Sequence, residues 1–159
     1  MLKFIKKYWA QLFLFIIIAI LCWCNFTPGT FLSGWDNLHP EFNILANIKR
    51  SIFSTWQEYQ GLGLLARMAH SADLVHQLII FPFTLFLPQN LIRYFWHFSM
   101  LFLGSFGIFY LLIYLTKNRL SGFIASIFYL LNFASVQYFN VPFEPYSTFW
   151  GFFPWLILI

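Results

Sequence analysis

Asp36 stands in the stretch SGWDNLHPEF, with Trp35 beside it, His39 three residues on and Glu41 two further. A carboxylate in such a place can take a proton from a hydroxyl or hold a divalent cation. It can equally cap a helix that starts just after it, since Asp is favoured at the positive end of a helix dipole. Further along, Lys49, Arg50, Glu58 and Arg67 supply charges suited to contacts with a polar ligand. An Arg guanidinium forks onto phosphate oxygens, so Lys49, Arg50 and Arg67 suit a phosphate or an anionic lipid headgroup equally. His39, Glu41 and Glu58 suit substrate contacts, or a solvated loop. His70, Asp73 and His76 recur every third residue, but zinc prefers a fourth ligand and tighter spacing, so no metal site is assigned.

The elements that hold these residues are set by composition. Of 159 residues, 60% are hydrophobic, 24% aromatic and 9% charged. A soluble domain carries roughly 25% charged residues, so lipid is the expected solvent. The net charge of +4 does not mark nucleic acid as a partner. Lys3, Lys6 and Lys7 precede the first apolar run, Lys117 and Arg119 lie in a turn between two others, and the segment from Asp36 to Arg93 is neutral. That distribution is the positive-inside pattern. Cys22 and Cys24 lie inside the first apolar run, where residues two apart on a helix point away from each other, and they are expected to be buried small hydrophobes.

Membrane crossing takes about 20 apolar residues. Residues 8–26, 94–115 and 120–139 meet that length, and 146–159 is expected to be a truncated fourth span. LCWCNFTPG offers no small-x-small cleavage pattern, so the first span is expected to stay as an anchor. Within 120–139, Ser121 with Ala125 and Gly122 with Ser126 allow close helix approach. His97 and Asn132, inside spans, are expected to bond between helices, and the tryptophans suit interfacial belts. Residues 78–87 are too short to cross, contain Pro82, and are expected to lie at the interface or re-enter. From Pro40 to about Gln60, Ile44, Leu45, Ile48, Ile52 and Trp56 recur at helical spacing and predict an amphipathic helix flat on the bilayer. The expected fold is thus an all-α, polytopic membrane protein with a cytoplasmic N-terminus and an extracytoplasmic loop at 27–93. Multi-pass placement in the cell membrane follows from that pattern.

Several of these features resemble the N-terminal part of the GT-C membrane glycosyltransferases, nearest to the YfhO-like and mycobacterial arabinofuranosyltransferase-like groups. They are a basic N-terminus and one helix, an outer loop with an early Asp, a surface helix, then TWQEYQGLG, LPQNL and the glycine-punctuated LGSFGIFYLL. The resemblance implies a polyprenyl-phosphate-linked sugar donor, a glycan or lipid acceptor in the cell envelope, and membrane lipids as surroundings. It implies Asp36 as the catalytic base and Trp35 as a ring able to stack on a sugar. GWDN has one carboxylate where many such loops have a pair, so a divalent cation stays open. The alternative class is non-enzymatic: a transporter, flippase or assembly subunit. A transporter would place ionisable groups or broken helices near the midplane.

Overall fold

The structure, a computed structural model, describes residues 2–34, 39–53, 62–63 and 72–159, with side chains from Lys7 onward. Among the described residues it is helical, with no strand. The chain divides into two compact units, Met1–Asn37 with Tyr94–Ile159, and Leu38–Arg93.

In the first unit, α1 spans Leu2–Cys24 and α4 spans Gln89–Thr116, its first turn belonging to the other unit. The α1 backbone leaves helical geometry at Tyr8 (φ −118°, ψ 17°), so the straight apolar part begins there. Lys7–Cys24 and α4 are each long and apolar enough to cross a membrane. The 28 residues of α4 reach about 42 Å, beyond the roughly 30 Å of hydrocarbon. Contacts tie the chain at both ends of these helices. At one end Tyr94 packs edge-on against Phe26 (5.1 Å) and its hydroxyl lies 3.0 Å from that of Thr30. At the other, the guanidinium of Arg119 donates to the Lys7 carbonyl. The basic residues Lys7, Lys117 and Arg119 therefore gather at a single end.

Lys117, in the left-handed region (φ 57°), turns the chain into α5, Arg119–Leu131, whose first turn is capped by Asn118 accepting from the Leu120 amide at 2.9 Å. The helix expected over 120–139 is interrupted. After α5 the helix breaks at Asn132 (φ −69°, ψ 158°) and resumes as α6, Phe133–Asn140, bent by 50°. Then comes α7, Glu144–Leu158. The core is Ala10, Leu14 and Ile18 of α1 against Leu101 and Phe109 of α4, Leu130 of α5 and Trp150 of α7. Small residues set the close approaches. Gly122 faces the Phe109 carbonyl, Gly104 the Trp150 ring, and Gly107 the side chains of Pro154 and Trp155. Of the two small-residue pairs on α5, Gly122 and Ser126 point into the core.

In the second unit, a 3-10 turn at Pro40–Phe42 leads into α2, Ile44–Phe53. The regular helix thus begins four residues later than the sequence predicts, because Asn43 is its cap: the Asn43 side chain accepts from the Ala46 amide at 3.1 Å. Next, α3, Leu74–Ile80, tightens into a 3-10 segment, Phe81–Leu85, around Pro82. Together these twelve residues reach about 18–22 Å, short of the hydrocarbon thickness.

Candidate functional site

Asp36, Trp35, Glu58 and Arg67 lie outside the described residues, as does His70. The structure does place His39, Glu41, Lys49 and Arg50. It brings the first two together. Glu41 is buried, and its Oε1 accepts from His39 Nδ1 at 3.0 Å. Arg93 closes the other side, with Nε 3.2 Å from Oε1 and Nη2 3.4 Å from Oε2. The backbone around the carboxylate is pinned as well. The Gln89 side-chain amide donates to the carbonyls of Glu41 (2.9 Å) and Phe42 (3.0 Å). Both Glu41 oxygens are thus engaged within the unit.

Sequence reasoning missed Arg93 and Gln89 as its partners. The signal was present in LPQNLIRYFW: a lone Arg one turn into a long apolar helix must find an anion or leave the lipid. Lys49 and Arg50 take consecutive positions on α2, the first exposed and the second half-buried. The cap of α2 is Asn43, and Asp36, which the sequence offers as a helix cap, lies outside the described residues. Among the described residues no three His, Cys, Asp or Glu side chains come together to hold a metal ion.

The first unit carries a second polar centre, at the break after α5. Asn132 accepts from the Ser135 amide at 3.0 Å and donates to the Tyr129 carbonyl (2.8 Å) and Ser135 Oγ (2.9 Å). Ser135 Oγ donates to the Tyr129 carbonyl at 2.7 Å and accepts from Trp150 Nε1 at 2.8 Å. Pro154 explains one more bond. It has no N–H to give the Trp150 carbonyl four residues back, and that carbonyl instead accepts from the Tyr129 hydroxyl at 3.0 Å. The Tyr129 and Trp150 rings stack at 4.4 Å. Asn132 was expected to bond between helices. Its side-chain bonds instead stay within the α5–α6 break, and Ser135 carries the link to α7.

Beside this centre lies a cavity of about 140 Å³, lined by Leu21 and Asn25, by His97 and Leu101, and by Leu130 and Ser135 with neighbours on α6. His97 is buried there, its Nε2 3.4 Å from the Phe139 carbonyl and its ring against that of Phe139. Compared with known families, curated proteins and solved structures, the chain matches none.

Proposed function

We propose that this chain belongs to a polytopic membrane glycosyltransferase, which moves a sugar from a polyprenyl-phosphate-linked donor to a cell-envelope acceptor on the outer face. Asp36 takes the proton from the acceptor hydroxyl as it attacks the anomeric carbon, and the sugar–phosphate bond breaks to release the lipid phosphate. Cationic side chains of the outer segment (Lys49, Arg50 and Arg67) offset the charge left on that phosphate. The observation that carries the proposal is the occupied state of Glu41. Its oxygens are held by His39 and Arg93, which supports assigning the proton acceptor to another carboxylate of the outer segment, and Asp36 of GWDN is the one the resemblance implies. Orientation is supported by the gathering of Lys7, Lys117 and Arg119 at one end of the first unit, which the positive-inside rule assigns to the cytoplasm. The Thr30–Tyr94 contact lies at the opposite end of the first unit, and the same rule supports reading that end as the outer one.

The test is transfer by the protein in proteoliposomes supplied with isotope-labelled polyprenyl-phosphate sugars and envelope acceptors. Labelled glycan formed with the lipid-linked donor, and none with the matching nucleotide sugar, is the expected result. Absence of transfer from every lipid-linked donor would overturn the proposal.

A transporter or flippase is the second reading, and the break at Asn132 favours it. Thirteen residues of α5 carry the chain about 20 Å from the basic end, so the break falls well inside the hydrocarbon if the pair spans. An interrupted span beside a cavity is a common transporter feature. Solute or lipid movement without glycan synthesis in the same proteoliposomes would select this reading.

A further inference from the structure

The second unit is built with its polarity reversed. Its buried side chains include Glu41 (6% exposed), Arg93 (3%), Gln77 (2%) and Ser51, the last two joined by a buried hydrogen bond of 3.0 Å between α2 and α3. Its exposed side chains include Leu45 (65%), Val75 (66%), Leu78 and Phe86 (82%), with Phe42 and Leu85 exposed beside them. In water this arrangement is doubly unfavourable. Each exposed Leu or Phe forgoes the gain of burial, and a buried ion pair rarely regains its desolvation cost. In lipid both signs reverse, because apolar groups face hydrocarbon at no cost and polar groups must be satisfied inside.

We propose that α2 and the α3–3-10 segment are immersed in the outer leaflet of the bilayer. Their polar pairs are buried in the unit together with Ile80 and Ile92, and Phe42, Leu45, Val75, Leu78 and Phe86 face the acyl chains. Three observations single out lipid as the occupant rather than another protein surface. Exposed apolar side chains occur on both helical segments and on the turn before α2, as a surrounding apolar solvent requires. Continuity supplies the second: α4, whose first turn holds Gln89 and Arg93 of this unit, continues as a helix of membrane-crossing length. The third is charge, since exposed Lys49 beside Leu45 and Ile52 on α2 matches the headgroup layer of an anionic bilayer. This inference is independent of the chemistry assigned to Asp36.

The test uses the whole chain with Cys22→Ser and Cys24→Ser, carrying single nitroxide labels at Leu45→Cys, Leu78→Cys or Phe86→Cys. All three positions are exposed, so the labels leave the packing intact, and each reads independently. The protein is placed in vesicles of phosphatidylcholine with phosphatidylglycerol, and spin relaxation is measured with oxygen, which concentrates in hydrocarbon, and with a water-soluble nickel chelate. Oxygen relaxation exceeding chelate relaxation several-fold at these sites, with the reverse order at Lys117→Cys, is the expected result. Chelate-dominated relaxation would place the unit in water, and protection from both agents would place it against protein. Either outcome overturns the proposal.

Discussion

Glu41 and Arg93 show how one residue's role turns on its partners. Sequence position placed Glu41 in a polar loop near Asp36, where a ligand contact was a natural expectation. Its oxygens meet His39 and Arg93, and Arg93 lies 52 residues away, a distance that no local pattern can reveal. What was legible was the need: an Arg within an apolar helix demands an anion. Removing one partner strands a buried charge, so Arg93→Met is expected to destabilise the detergent-solubilised protein by about 3–5 kcal/mol. The double change Arg93→Met with Glu41→Gln is expected to recover much of that loss. An additive double mutant in denaturant titrations would show the two groups to be uncoupled. The cap of α2 is a second residue-scale prediction. Asn43→Ala is expected to cost about 0.5–2 kcal/mol, whereas Asp36→Ala leaves α2 unaffected, because Asn43 already binds the Ala46 amide. Equal losses in helix stability, followed by hydrogen exchange of the α2 amides, would contradict this assignment.

At the scale of elements, the long apolar helices were legible because their signal is local: a run of apolar residues bounded by charge or turn residues. The predicted 94–115 span is contained in α4, and the predicted start at residue 8 coincides with the backbone kink in α1. The break at Asn132 was not legible. LSGFIASIFYLLNFASVQYF is apolar throughout, and an Asn inside it reads equally as an interhelical bond. The outcome depends on Ser135, Tyr129 and Trp150 converging, and on Pro154 freeing the carbonyl that Tyr129 fills. Gly122 and Ser126 were identified in sequence as one of two equivalent small-residue pairs, and only packing decides which pair faces inward. A side chain at Gly122 would meet the Phe109 carbonyl at 2.8 Å, and backbone cannot yield cheaply. Gly122→Val is therefore expected to destabilise by about 1–3 kcal/mol. Ser121→Val, on the less buried pair, is expected to stay within about 0.5 kcal/mol. Unfolding midpoints in mild detergent compare the two directly, and equal effects would remove the α4–α5 contact from the account.

For the whole molecule, the shared end of Lys7, Lys117 and Arg119 makes a topological prediction. A membrane-impermeant maleimide applied to intact cells is expected to label Lys49→Cys and to leave Lys117→Cys unlabelled until the membrane is opened. External labelling at position 117 would invert the assigned orientation and put Asp36 on the wrong face for an outer acceptor. The central claim, a transferase whose proton acceptor is Asp36, rests on a change that removes the charge and keeps the shape. Asp36→Asn preserves size and hydrogen-bonding ability but cannot take a proton. The decisive measurement is sugar transfer from a polyprenyl-phosphate donor, wild type against Asp36→Asn, at matched expression and matched melting temperature. The account predicts a loss in turnover of about 10²-fold or more with unchanged melting. Equal turnover in the two proteins would contradict it.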